Sequence, residues 1–368
     1  MKLFCAQRDL DNALNIVNKA ISPNNTLPVL NNILLKAEGK KLFFSATNLE
    51  IAISCFIDSD VRTKGSVTVP AKLITGYSSL LTDERVELNI EGSTDLNISS
   101  SSSKTKIKGI NADEFPLIPK VEKEQEFSVK IDDFYRAIIE TVFAASLNTS
   151  RPVLSGVYLY YADKSMKMVA TDSYRLAEKE VKLSKKPGAD FSCIIPAKTM
   201  MELSKIVNKS DDKEVHVIVS KNQILFSVGE IELISRLIEG KYPDYEKIIP
   251  KERKSRFDVS VEDLSLVLKR VSLFARENNN SIKLTVSKDG KLEINSDETK
   301  VGEEKSHIMV KLEGEDNSIL LNAQYLLDVL TYIHGDKISF SMSDKVSPAV
   351  IRPSEGEDYV YIIMPLKV

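Results

Sequence analysis

The sequence predicts an α+β protein made of three copies of one unit, each with antiparallel sheet and two helices. Three observations carry this. Segments of strand, tight turn and helix recur on a constant step: TVPAKLITGYSSLL at 68–81, IIPAKTMMELSKIV at 194–207 and LLNAQYLLDVLTYI at 320–333. Their central triplets begin at Val69, Ile195 and Leu321, so each step is 126 residues. A second set of helical segments precedes them: AQRDLDNALNIVNKAIS at 6–22, KIDDFYRAIIETVFAAS at 130–146 and SVEDLSLVLKRVSLFAR at 260–276. Third, SATNLEIAIS at 45–54 returns as VATDSYRLAE at 169–178 and has decayed to INSDETKVGE at 294–303.

The elements follow from these segments in order. Helices are predicted over 7–21, 71–82, 132–146, 197–209, 262–276 and 323–334. Asp132 and Glu262 open their helices with negative charge, where the helix dipole favours it. Leu264, Val267, Leu268 and Val271 fall at the i, i+3, i+4, i+7 spacing of a helix with one buried face. Between the helices the pattern alternates with period two, as strands do. Turns are expected at Glu38-Gly39, at Ala162-Asp163-Lys164 and at Lys288-Asp289-Gly290, where Asp-Gly favours a tight hairpin. The serine run 99–103 sits in a strand-rich stretch and reads as polar strand or hairpin. Prolines in EFPLIPK at 114–120 and KYPDYEKIIPK at 241–251 mark linkers. A repeat this long exceeds solenoid periods, so three domains are expected, over 1–120, 127–250 and 255–368.

Composition bounds the function. The 368 residues suit two or three domains of roughly 100–150 residues. With 42% hydrophobic and 28% charged residues the chain has ample core material, and its net charge of −3 means any basic surface is local. Three separated cysteines, Cys5, Cys55 and Cys193, make neither a disulfide framework nor a zinc site. The N-terminus turns charged too early for a signal peptide, and no apolar run approaches the roughly 18 residues of a membrane helix. A cytoplasmic protein with no membrane partner is expected.

Catalytic signatures are thin. The chain has no phosphate-binding GxxxxGK[ST] and no GxGxxG. His216 lies in an alternating strand, His307 near a loop and His334 at a helix end, without metal-ligand spacing, so no metal and no cofactor are expected. Ser101-Ser102-Ser103-Lys104 fits SxxK only because a serine run fits many patterns. Asp172 at a strand end could be a catalytic acid, but Asn48, Asp172 and Asp297 hold equivalent places in the three copies. A turn residue bonding nearby backbone explains that repetition better. The chain is therefore read as a binding scaffold and not an enzyme. The rivals are an α+β hydrolase using Asp172 and Asp244, and a monomeric peptide-binding adaptor. Lys198, Lys205 and Lys209 recur along one helix and Lys269, Arg270 and Arg276 cluster late in another. The helices as a set are slightly positive and the remainder of the chain is acidic, which suits helices facing a polyanion.

Taken together, TLPVLNNILL at 26–35, ATDSYRLA at 170–177, GKYPDYEKIIP at 240–250 and the terminal YIIMPLKV closely resemble the bacterial DNA polymerase III beta subunit, the sliding clamp. The resemblance runs in order from Met1 to Val368. It implies three repeated DNA-clamp domains with sheets outside and two helices each inside, forming half of a six-domain ring that closes as a head-to-tail homodimer. Duplex DNA would pass through unaltered and without sequence preference. The clamp would hold the replicative DNA polymerase catalytic subunit, the clamp loader and repair polymerases through short peptide motifs.

Carried onto this chain, the family's peptide pocket uses residues from four stretches. They are Leu154 with Thr171, Ser173, Tyr174, Arg175 and Leu176; Pro243, Lys247 and Ile248; Val346 and Pro348; and Ile362, Met364, Pro365 and Leu366. Family DNA-facing positions fall at or beside Lys72, Asn148, Arg151 and Lys198. The seam would place Ile107 against Leu273 and Phe274 of the other protomer. Departures from the family are Ser173-Tyr174 in place of a common Gly-His, Asn24-Asn25 in place of a frequent arginine, and Thr105 in place of a common aromatic.

Overall fold

A computed structural model describes all residues except 23–26, 93, 149, 251, 301, 357, 367 and 368. It divides into two compact units. The first comprises Met1–Ile131, Ser184–Gly188 and Glu202–Leu237, the second Asp132–Leu183, Ala189–Met201 and Ile238–Val368. The middle repeat thus contributes to both, because its two sheets each continue into a sheet of a flanking repeat.

Among the described residues there are six α-helices: α1 (Gln7–Val17), α2 (Ala71–Ser78), α3 (Ile131–Thr141), α4 (Ala197–Val207), α5 (Val261–Ala275) and α6 (Ala323–Tyr332). All six predicted helices are present and begin within one residue of expectation. Their ends fall one to five residues short. Tight 3₁₀ turns at Asn18–Ala20, Val142–Ala144 and Arg276–Asn278 take over the last predicted turn of α1, α3 and α5. The Ser260 side chain caps α5 by accepting from the Asp263 amide, and Glu262 and Asp263 fill its first turn.

In the first unit a long antiparallel sheet has as successive neighbours the strands Gln125–Lys130, Glu214–Val219, Gln223–Val228, Ile231–Arg236, Ile51–Asp58, Lys41–Thr47, Asn32–Glu38 and Gly65–Pro70. Repeat one joins repeat two where Leu233 pairs with Ile53. A second sheet of five strands ends in an edge, Lys104–Lys108. Helix α1 turns Leu10, Ala13, Leu14 and Val17 inward, and the Cys55 thiol reaches the Ala13 carbonyl from strand Ile51–Asp58.

In the second unit a nine-stranded sheet runs Phe191–Pro196, Gly156–Ala162, Ser165–Thr171, Arg175–Val181, Tyr359–Ile363, Ala349–Pro353, Lys337–Met342, Ser255–Ser260 and Lys311–Gly314. Repeat two joins repeat three where Leu176 pairs with Ile362. A four-stranded sheet ends in an edge, Lys305–Met309, so His307 lies within a strand and not near a loop. The buried face of α5 is Leu264, Val267, Leu268 and Val271, as its spacing predicts.

The hairpin readings hold. Gly39 and Gly290 turn with φ of 64° and 83°, and Asp163 and Lys164 turn with φ of 50° and 65°. The serine run joins paired strands, Ser99 opposite Lys104, and the Ser101 and Ser102 hydroxyls donate to Asp83. The proline-marked linkers, however, are not loose. Phe115 packs with Val29 and Leu30, and Tyr242 and Tyr245 pack with Leu176 and Ile362. Aromatic residues inside these stretches lose more by exposure than the chain gains by freedom.

Candidate functional site

The repeated Ala-Thr-Asn/Asp motif is one turn used twice. In the first copy the Asn48 Oδ1 accepts from the Glu50 and Ile51 amides at 3.0 and 2.9 Å. In the second the Asp172 Oδ1 accepts from Tyr174 and Arg175 at 2.9 and 3.0 Å. Thr47 and Thr171 each donate to a carbonyl four residues on and accept from the amide two residues on. The residue after the Asx is left-handed in both, Leu49 at φ 73° and Ser173 at 81°. Only Asp172 has a carboxylate, and its second oxygen accepts from Arg175 Nε at 3.0 Å. Both oxygens therefore serve the turn, and Asp244 pairs with Lys247 at 2.6 Å. Neither carboxylate is arranged for acid–base work. In the third copy the turn is lost: Asp297 Oδ2 accepts from the Asn278 side-chain Nδ2 at 2.7 Å instead.

That turn builds the candidate pocket from below. Strand Arg175–Val181 follows it directly and pairs with Tyr359–Ile363, and Ile362 pairs in turn with Val350. Leu176 and Ile362, 0% and 1% exposed, form a floor beside which Val169 and Ile194 project from the same sheet face. Tyr242 and Tyr245 join the same cluster, which carries Pro243, Lys247 and Ile248 to this face. The chain end is held: the Met364 amide donates to the Tyr174 carbonyl at 2.8 Å and the Leu366 amide to the Leu320 carbonyl at 2.9 Å. Met364 and Pro365 are thus fixed beside Tyr174. Tyr174, Ile248 and Val346 are exposed apolar side chains, at 62%, 41% and 80%. Asp344 accepts from the Val346 and Ser347 amides, shaping the turn that presents Val346 ahead of Pro348. Leu154 is buried at the 3₁₀ turn Pro152–Ser155, and Thr171 is buried within the Asx turn.

Arg175 is a pin and not a free lining residue. Its guanidinium donates to Asp172, to Asp328 and to the Phe143 carbonyl, and lies 4.7 Å from the Tyr325 ring centroid. Burial opposes its charge, but Asp328 and Asp172 help to outweigh that and hold it protonated above its ordinary range. Tyr325, Asp328 and Phe143 support the site yet escaped sequence reading. They lie on other elements, and no local pattern couples them to Arg175.

Lys72 and Lys198 are the second residues of α2 and α4, and both are exposed. Asn148 and Arg151 are exposed too, with Arg151 3.4 Å from the Ser173 hydroxyl. Lys19 adds to this set in a way the sequence did not reveal. Burial lowers its ammonium from the ordinary lysine value, Glu202 raises it, and Lys205 and Lys209 lower it further. Lys19 thus lies within electrostatic reach of Lys205 and Lys209 and of Glu202, which pairs with Lys205 at 2.9 Å. Asn24 and Asn25 lie outside the described residues.

At the expected seam Leu273 is 60% exposed, as a contact residue should be, but Ile107 is 2% exposed. Its side chain faces the interior of its own protomer. What strand Lys104–Lys108 offers outward is its backbone edge with the side chains of Lys104, Lys106 and Lys108. The three cysteine thiols are buried, which pushes each up to about 12 and leaves them unreactive. Among the described residues no group of three or more metal-ligating side chains exists, and no helix is long and apolar enough to cross a membrane.

Comparison with known proteins covers the whole chain. Family models described as the N-terminal, central and C-terminal domains of the DNA polymerase III beta subunit match residues 1–119, 128–244 and 246–367. A beta sliding clamp from Synechocystis is 30% identical over 389 residues, covering 100% of both chains. The solved DNA polymerase sliding clamp from Bacillus subtilis superposes with a TM-score of 0.95 at 29% identity, over 100% of this chain and 99% of that one. A Pseudomonas aeruginosa sliding clamp bound to griselimycin gives a TM-score of 0.95 at 27% identity over 100% of each chain.

Proposed function

Because the chain belongs to the DNA polymerase III beta subunit family, we propose that it is a sliding clamp that encircles duplex DNA as a homodimer and tethers the replicative polymerase. The observation that carries this is the match of all three domain models, in order, from end to end. The domain limits 1–120, 127–250 and 255–368 follow from the same reading, and the clamp acts in the cytoplasm on DNA.

The mechanism needs no reaction, and the chain is not an enzyme. A closed ring holds DNA by topology, so its residence does not depend on tight contacts. Lysine contacts to phosphate are sequence-independent and weakened by salt, which permits sliding; a base-reading site would arrest it. Lys19, Lys72, Lys198, Lys205 and Lys209, with Asn148 and Arg151, are the DNA-facing groups. The apolar face around Tyr174, Ile248, Val346 and Met364 takes short peptide segments of the polymerase, the clamp loader and repair polymerases. The Pseudomonas clamp holding griselimycin supports a ligand-accepting surface in the family.

The test is retention on DNA. Protein loaded onto a nicked circle is expected to remain bound through gel filtration at high salt and to be lost when the circle is linearised. Loss from circles and linear DNA alike, or a particle that stays monomeric at micromolar concentration, would sink the reading.

A further inference from the structure

Beside the candidate pocket lies a second surface. A groove of about 650 Å³ opens on the outer face of the third repeat. Three arginines line it, Arg253, Arg256 and Arg352, with Glu252 as the one lining carboxylate among the described residues. The strand register explains their grouping. Arg256 pairs with Ser341, which pairs with Val350, while Arg352 pairs with Ser339. Side chains at these positions share one face, and the intervening Phe257, Phe340 and Ile351 are buried on the other.

The arginines are poorly matched within the chain. Arg256 donates to the Ser339 hydroxyl at 2.8 Å, and its carboxylate neighbours Asp258 and Glu313 stand at 3.8 and 4.0 Å. Those separations exceed hydrogen-bond length. Among the described residues neither Arg253 nor Arg352 has a carboxylate within ion-pair reach. The Ser354 hydroxyl, also lining the groove, is buried and has no hydrogen-bond partner there. Donors without acceptors, on a concave surface, call for an anionic occupant.

We propose that this groove binds acidic residues flanking the peptide segment that docks in the neighbouring apolar pocket. The proposal rests on the pocket reading above. Two observations select this occupant: the charge is complementary, and the surfaces are continuous. Pro348 lines the groove and belongs to the pocket set, and Val350 in the groove pairs with Ile362 in the pocket floor. From the Ile362 strand to the Arg256 strand is three strand spacings, about 14 Å, which an extended chain covers in about four or five residues. The acidic residues therefore lie about that far from the apolar anchor.

The probe is a fluorescein-labelled neutral peptide of about ten residues, selected from a random library for binding that Met364→Ala abolishes. It is compared with the same peptide carrying a flexible spacer of about four residues and a triglutamate tail at either end. The tail is expected to tighten binding roughly fivefold to tenfold at low salt. That gain should vanish in Arg256→Gln/Arg352→Gln and shrink in Arg253→Gln, which alters only an exposed residue and leaves the sheet intact. The neutral peptide should bind all variants equally. A tail gain that survives the double variant, or no gain at either end, overturns the groove while leaving the pocket standing. Failure to select any Met364-dependent peptide overturns the pocket reading and the groove with it. Competition for the tail by a short duplex DNA, acting through the same arginines, would mark a nucleic-acid surface and also overturn the proposal.

Discussion

At the residue scale the turn at Thr171–Arg175 shows how sequence and site are joined. One side chain, Asp172, accepts from two amides and one guanidinium, so the turn and the pin of the pocket floor share an anchor. Asp172→Ala is expected to lower unfolding stability by about 2 kcal/mol, since it strands two amides and one charged donor. It should also weaken peptide binding without shifting the dimer. Ser173 sits at φ 81°, a conformation that costs an L-residue about 1–2 kcal/mol. Ser173→Gly is expected to raise unfolding stability by up to about 1 kcal/mol, seen as a higher urea midpoint; an unchanged or lowered midpoint would contradict the strain. The motif was legible because its logic is local. Arg175's partners Asp328 and Phe143 were not, because only the folded sheet brings them near.

A buried ion pair adds a pH signature at the same scale. Lys179 and Glu140, 6% and 1% exposed, meet at 2.9 Å, with Asp358 3.1 Å from the same ammonium. Burial pushes the Glu140 carboxyl above its ordinary 4.5, and Lys179 only partly offsets this. A raised carboxyl favours the folded state while protonated. Its contribution is complete below pH 4.5 and is lost as pH rises through the raised value. Glu140→Gln mimics the protonated carboxyl and is therefore expected to leave stability at neutral pH unchanged or slightly higher. It should also flatten the fall in stability above pH 4.5, as urea titrations at several pH values would show.

At the element scale, what the sequence told depended on period. Helix starts were legible from acids and from the strand-turn-helix step; helix ends were not, since 3₁₀ turns continue the same pattern for another turn. Among the described residues the linkers lack strands and α-helices, as read, but their packing was not legible. Proline marks a break in regular structure, but it does not say whether neighbouring aromatics are buried. Edge strands could be counted from the repeats, yet the inward burial of Ile107 needed the register. Leu273 on α5 remains the exposed apolar residue beside the expected seam. Leu273→Asp is expected to convert the dimer to monomer in sedimentation at micromolar concentration, with the melting temperature of the protomer nearly unchanged. A retained dimer would remove α5 from the seam.

At the scale of the whole molecule the three repeats follow one rule with an open end. Strand Ile51–Asp58 of the first copy pairs with Ile231–Arg236 of the second, and Arg175–Val181 of the second pairs with Tyr359–Ile363 of the third. The corresponding strand of the third copy, Lys305–Met309, is a sheet edge, as is Lys104–Lys108, the corresponding acceptor in the first. Unpaired edges need cover. A second copy of the chain supplies the missing partner at both ends, and a head-to-tail pair closes where a single chain cannot. Closure in turn sets what the lysines have to do. Topology supplies retention, so charge need only keep the DNA loosely attracted. The variant Lys19→Ala/Lys205→Ala/Lys209→Ala is therefore expected to separate the two. On short linear duplex, where only charge acts, the slope of log affinity against log salt should fall by about one to three, near one for each phosphate no longer neutralised. On a nicked circle, after loading, the dwell time should change little. Equal weakening on both substrates would mean that direct charge pairing, and not enclosure, holds the DNA.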